Sequence, residues 1–154
     1  MAKPKTPNAP EDVAAALTQC ACIHMRVASR VMTRLYDDAL APSGIRISQL
    51  ATLSVLAFQG PFTVKALANA LVMDRTTLTA DLKPLEARGL LEINHGEDRR
   101  TRVIAISRKG RKVLEAAIPA WQRAQEQVKT GFGEVRLQGL LHDLREVVSM
   151  MQVK

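Results

Sequence analysis

The sequence predicts a mainly α-helical chain with one small β-hairpin set between its helices. Three observations carry that expectation. Apolar residues recur at helical spacing along most of the length. The period shortens to strand-like alternation only in LLEINH and RVIAIS, on either side of the charged tip GEDRRT. Glycine and proline are gathered at a few points that read as helix ends.

The first helix is expected from about Glu11 to Leu40, a stretch without Gly or Pro. Leu17, Ala21, His24/Met25, Ala28, Val31/Met32 and Leu35 fall on one face of it. Pro10 suits its start, and Pro42-Ser43-Gly44 ends it. About thirty residues is long for a chain of this size, so the helix is expected to pack against something beyond its own core. Ser48 is placed to cap a second helix, SQLATLSVLAFQ, which stops at Gly60-Pro61. Thr63 caps a short third, VKALANAL, and Asp74 caps a fourth, RTTLTADLKPLEAR, closed by Gly89. The hairpin follows. Ser107 then begins a helical run, with Pro119 as a kink, to Gly131-Phe132-Gly133. VRLQGLLHDLREVVSMM forms a last amphipathic helix. The division expected is 1–10 a disordered arm, 45–111 a central region of short helices and the hairpin, and 11–44 with 112–154 a region of long helices.

Composition narrows the function. The 154 residues make one domain with no room for a separate catalytic one. Hydrophobic residues at 47% supply a core, and an aromatic share of 3% argues against a stacking pocket. The net charge of +7 asks for a polyanion, nucleic acid or membrane surface. Its location decides: Pro61 to Lys112 holds eleven Lys/Arg against six Asp/Glu, so most of the surplus sits on the helix pair and hairpin. No apolar run approaches the ~20 residues of a membrane span. The opening MAKPKTPNAPEDV lacks the apolar core of a secretory signal, so a soluble cytoplasmic protein is expected. No nucleophile–base pair, phosphate loop or dinucleotide fingerprint is found, so neither an enzyme nor a cofactor is expected.

A helix–turn–helix followed at once by a two-stranded hairpin is the winged-helix plan. The second helix of the pair, the reader helix, opens with Arg75, Thr76 and Thr77 and continues to Thr79 and Lys83. Small hydroxyl side chains let a backbone approach the major-groove floor. Arg75 supplies a donor pair matched to guanine, and threonine bonds a base edge or touches a thymine methyl. Leu78, Leu82 and Leu85 would face inward onto Leu67 and Leu71. The hairpin tip carries Arg99, Arg100 and Arg102, suited to a narrow electronegative minor groove. Asp98 can hold one of these guanidinium groups in a fixed fork. Pro84 is expected to bend the reader helix, which bears on the direction of Lys83.

GEDRRTRVIAISRKG resembles the wing of the MarR family of bacterial transcriptional regulators, whose pattern is Asp-x-Arg, alternating apolar residues, Thr or Ser, and Gly. Asp98, Arg100, Ser107 and Gly110 fall on it. LANALVMDRTTLTADLKPLEARGLL is similar to the segment before that wing, and the resemblance runs from about Glu11 to the end. It implies a winged-helix homodimer held by its terminal helices, bound to double-stranded DNA at a palindromic site. By position it implies a groove-facing set of Arg75, Thr76, Thr77, Thr79 and Lys83, and a wing set of Arg99, Arg100 and Arg102. Ser48 and Gln49 would contact phosphate at a helix start. The function implied is a repressor released by a small-molecule effector. Two alternatives stand beside it: a redox-sensing regulator using Cys20 and Cys22, and a winged-helix module for protein or RNA.

The cysteines admit two readings. At i and i+2 of one helix they point about 200° apart, too far to close a bridge or grip one metal. Packing as small hydrophobes is one reading. Oxidant sensing is the other, by a bridge to the second subunit, with Arg26 one turn from Cys22 to favour its thiolate. Cys20 and His24 share a face, but two ligands do not make a metal site. His142, Asp143 and Glu146 read as a solvated face, and Trp121 as core or interface.

Overall fold

The structure is a computed structural model and describes residues 10–95 and 102–152. The chain divides into two compact units, to Leu35 and from Tyr36.

In the first unit, helix α1 (Pro10–Leu17) is followed by helix α2 (Ala21–Leu40), which runs on into the second. The single helix expected over Glu11–Leu40 is therefore interrupted at residues 18–20. Local hydrogen bonds explain the break. The Thr18 hydroxyl donates to the Ala15 carbonyl at 2.6 Å, offering the backbone an alternative to the helical ladder. The N–H groups of Gln19 and Cys20 then donate only three residues back, to Ala16 and Leu17, in a tightened turn. The freed Thr18 carbonyl lies 2.6 Å from His24 Nε2, which must carry the proton there. Cys20 thus precedes α2, and the opposed helical directions expected for Cys20 and Cys22 do not apply.

In the second unit, α2 ends in a 3-10 turn (Ala41–Ser43), and Gly44 reverses the chain at φ +67°. Helix α3 spans Ile47–Phe58, with Arg46 and not Ser48 as the residue before its first turn. The reason is a distant cap. Asp37 Oδ1 accepts the Ile47 N–H at 2.7 Å, and Gln49 Oε1 accepts the Arg46 N–H at 3.1 Å. Two otherwise orphaned donors are satisfied without Ser48.

Strand β1 (Phe62–Thr63) leads into helix α4 (Val64–Ala70), where Thr63 Oγ1 accepts the Ala66 N–H at 3.2 Å. Helix α5 (Arg75–Ala87) is followed by strands β2 (Leu91–His95) and β3 (Arg102–Ile106). The sheet is antiparallel in the order β1-β3-β2, in register Phe62↔Ile104 and Leu91↔Ile106. A third strand thus joins the expected hairpin; two residues are too short to show a period. Helices α6 (Arg108–Phe132) and α7 (Glu134–Gln152) complete the chain.

The core gathers Leu53 and Leu56 of α3, Leu67 of α4, Leu78 and Leu85 of α5, and Ile104 of β3, each at most 2% exposed. Each such side chain contributes about 1.5–3 kcal/mol on leaving water. The inward face expected for α5 is the one observed, and Leu71 packs against the same cluster half-buried. Trp121 does likewise. Helix α6 is pinned close to the sheet. Ser107 Oγ accepts the Gly110 N–H at 2.9 Å and donates to the Gly89 carbonyl at 2.7 Å. A Cβ on Gly110 would stand 2.2 Å from the Leu90 carbonyl oxygen, so only glycine fits.

Candidate nucleic-acid interface

Helices α4 and α5 form the helix–turn–helix, and the turn between them places Val72 at φ +53°. Helix α5 starts sharply because Asp74 caps it. Asp74 Oδ1 accepts the Thr77 N–H at 2.9 Å, and the other carboxylate oxygen accepts the Thr77 hydroxyl. The Thr77 hydroxyl, followed by the Thr77 N–H, holds the Asp74 carboxyl below the ordinary carboxylate range. Thr77 therefore spends its donors on the cap. Thr79 Oγ1 donates to the Arg75 carbonyl at 2.7 Å, leaving its methyl group and oxygen lone pairs to solvent.

Arg75, Thr76, Thr77, Thr79 and Lys83 are all exposed. At about 100° per residue, Thr79, Lys83 and Thr76 fall within one exposed arc of about 60°, its centre roughly 125° around the helix from that of buried Leu78, Leu82 and Leu85, with Arg75 between that arc and the leucines and Thr77 on its far side. The helix continues through Pro84 to Ala87. Gly89 then adopts φ +68° and ends it as the sequence predicts.

Ser48 is exposed on the first turn of α3, and Gln49 is half-buried with its oxygen committed to Arg46. A recess of about 640 Å³ is lined by Ser48, Gln49, Asp81, Pro84 and Arg88, so the start of α3 and the outer side of α5 are neighbours. Arg102 opens β3, exposed and paired in register with His95. Asp98, Arg99 and Arg100 lie outside the described residues. Among the described residues the one ion pair is Lys129–Glu134 at 3.8 Å, on α6 and α7, so no carboxylate within 4.0 Å neutralises Arg75 or Lys83 there.

Two contributors escaped the sequence reading. Asp37 caps α3 from ten residues away, and Arg88 donates to the carbonyl of Gly44. Neither contact has a local signature, because both join segments brought together only by packing.

The chain's residues 43–101 match the model of the MarR family. The organic hydroperoxide resistance transcriptional regulator of Bacillus subtilis (strain 168) is 32% identical over 98 residues, covering 63% of this chain and 67% of the relative. The chain belongs to the MarR family. The crystal structure of the M. tuberculosis transcriptional regulator MosR in complex with DNA is 32% identical, with a TM-score of 0.76, over 88% of this chain and all of that one (100%). Bordetella bronchiseptica BpsR is similar in fold alone, at 20% identity and TM-score 0.77, over 86% of this chain and 96% of the other. As a MarR-family member the chain is a DNA-binding transcriptional regulator with the winged-helix fold. Among the described residues, no helix is long and apolar enough to cross a membrane.

Proposed function

We propose that the protein is a cytoplasmic, dimeric repressor that binds a palindromic duplex site and leaves it in response to a small molecule. It acts by binding and not by catalysis. The observation that carries the DNA-reading assignment is the exposed side of α5, where Thr76, Thr79 and Lys83 share one arc turned away from the buried leucine stripe. In this reading Arg75 and Thr76 meet base edges, Thr77 fixes the helix start, and Thr79 offers its methyl to thymine. Lys83, Ser48 and Gln49 contact phosphate. Arg102 continues a wing whose Arg99 and Arg100 enter the minor groove, with Asp98 orienting a guanidinium.

Dimerisation is supported by apolar surface that a monomer leaves in water. Helix α7 exposes Leu140, Leu141, Leu144 and Val148, each between 37% and 46%. The N-terminal helices expose Leu17, Ile23, Val27 and Val31. Two reader helices would then reach successive major grooves. Filter binding to duplex DNA with RNA as competitor tests the reading. Retention of duplex is expected; preferential retention of RNA would favour the winged-helix RNA-binding alternative.

One second reading is favoured by the break before α2: an oxidant as the signal. Cys22 is exposed and Cys20 half-exposed outside the helix, so both thiols are open to a peroxide. A hydroperoxide would take Cys22 to the sulfenic acid with loss of an alcohol, and a second thiol would then close a disulfide with loss of water. The name of the Bacillus subtilis relative points the same way. Peroxide-driven release from DNA that disappears in Cys22→Ser supports this reading. Indifference of the parent to peroxide returns the cysteines to packing.

A further inference from the structure

Arg88 is exposed, cationic and next to the recess beside the reader helix, where a phosphate contact is the ordinary expectation. Its bonds describe another task. The Arg88 Nη1 donates to the carbonyl of Gly44, the residue that turns the chain from α2 to α3. The Arg88 carbonyl in turn accepts Lys109 Nζ at 2.7 Å, from the first turn of α6.

The neighbouring residues are tied to the same elements. Ser107 donates through its hydroxyl to Gly89 at 2.7 Å and through its N–H to Leu90 at 3.0 Å. The end of α2 is itself fixed, because the Tyr36 hydroxyl donates to Gln125 of α6 and Asp37 caps Ile47 of α3. The C-terminal end of α5 thus meets both the α2–α3 bend and the start of α6 through one side chain and its backbone. A guanidinium held on a carbonyl is a charge-assisted bond, and a cation at a helix C-terminus also suits the dipole.

We propose that Arg88 is a positioning residue for DNA recognition, a strut that sets the direction of α5 from the flanking helices α2 and α6. The proposal rests on α5 being the DNA reader. A strut and a phosphate contact differ in one observable. Loss of a phosphate contact reduces the slope of log affinity against log salt by about 0.9, whereas misdirection of the helix lowers affinity at every salt concentration alike.

The test measures affinity over a salt series for a duplex selected from a random pool by the parent protein. Arg88→Ala should bind roughly tenfold more weakly, within the two- to thirtyfold span typical of such networks, with the parental slope. Arg88→Gln keeps an N–H donor without the charge and should recover most of that loss. A slope reduced by about 0.9 in both variants, or affinity unchanged in Arg88→Ala, overturns the proposal. If circular dichroism shows Arg88→Ala unfolded, Arg88→Gln carries the comparison: parental slope supports the strut and a reduced slope overturns it. A parent that selects no duplex at all is a different result, since it removes the reader assignment itself.

Discussion

Val72 holds φ +53°, a region that β-branched residues seldom adopt, and it does so 60% exposed. Such a residue stores about 1–3 kcal/mol of backbone strain. Glycine would relax it but would also free the unfolded chain, which offsets part of the gain. Val72→Gly is therefore expected to raise Tm by about 2–4 °C; a lowered Tm would show that the turn prefers valine. Asp74 gives a pH prediction. Its carboxyl titrates lower in the folded state than in the unfolded one, so the cap's stabilisation is present above the ordinary carboxylate range and lost as pH falls through the folded value. Asp74→Asn keeps a capping oxygen without that titration, so its acid loss of stability should be shallower than the parent's. Thr77 shows the limit of a sequence reading at this scale. Three threonines in four positions suggested base contacts, yet one of them serves the cap and another bonds back to Arg75.

Among the elements, those with a complete local signature were legible. Asp74, Thr63 and Ser107 stand at the caps where the residue types put them, and the leucine stripe of α5 faces inward. The departures came where a distant or competing group decided. Asp37 displaced Ser48 as the cap of α3, and the Thr18 hydroxyl with His24 broke the first helix. Strand β1 exists because Phe62 and Thr63 find β3, a pairing absent from local sequence. The expected contacts split by element into two measurements. Thr76→Ala on α5 should lower affinity for the preferred duplex by about 1–3 kcal/mol and relax base preference at one position. Arg100→Ala on the wing should cost a similar amount while flattening the salt dependence by about 0.9. Unchanged binding by Arg100→Ala would remove the wing from the interface.

At the scale of the whole molecule, the terminal helices expose apolar residues that a lone chain leaves in water, Leu17, Ile23, Val27 and Val31 near the N-terminus and Leu140, Leu141, Leu144 and Val148 on α7. A second copy accounts for them. Sedimentation should report a dimer at micromolar concentration, and truncation before Phe132, which removes α7, should leave aggregated or unfolded protein. A well-behaved monomeric truncation would contradict the assembly. Dimer and reader together define the most direct test. Random duplexes bound by the protein are selected, amplified and sequenced. An enriched inverted repeat is predicted, with half-sites about one helical turn apart, because two-fold symmetry presents two α5 helices to successive major grooves. Enrichment of a single unrepeated site, or of no sequence at all, would contradict a dimeric regulator that reads DNA through α5.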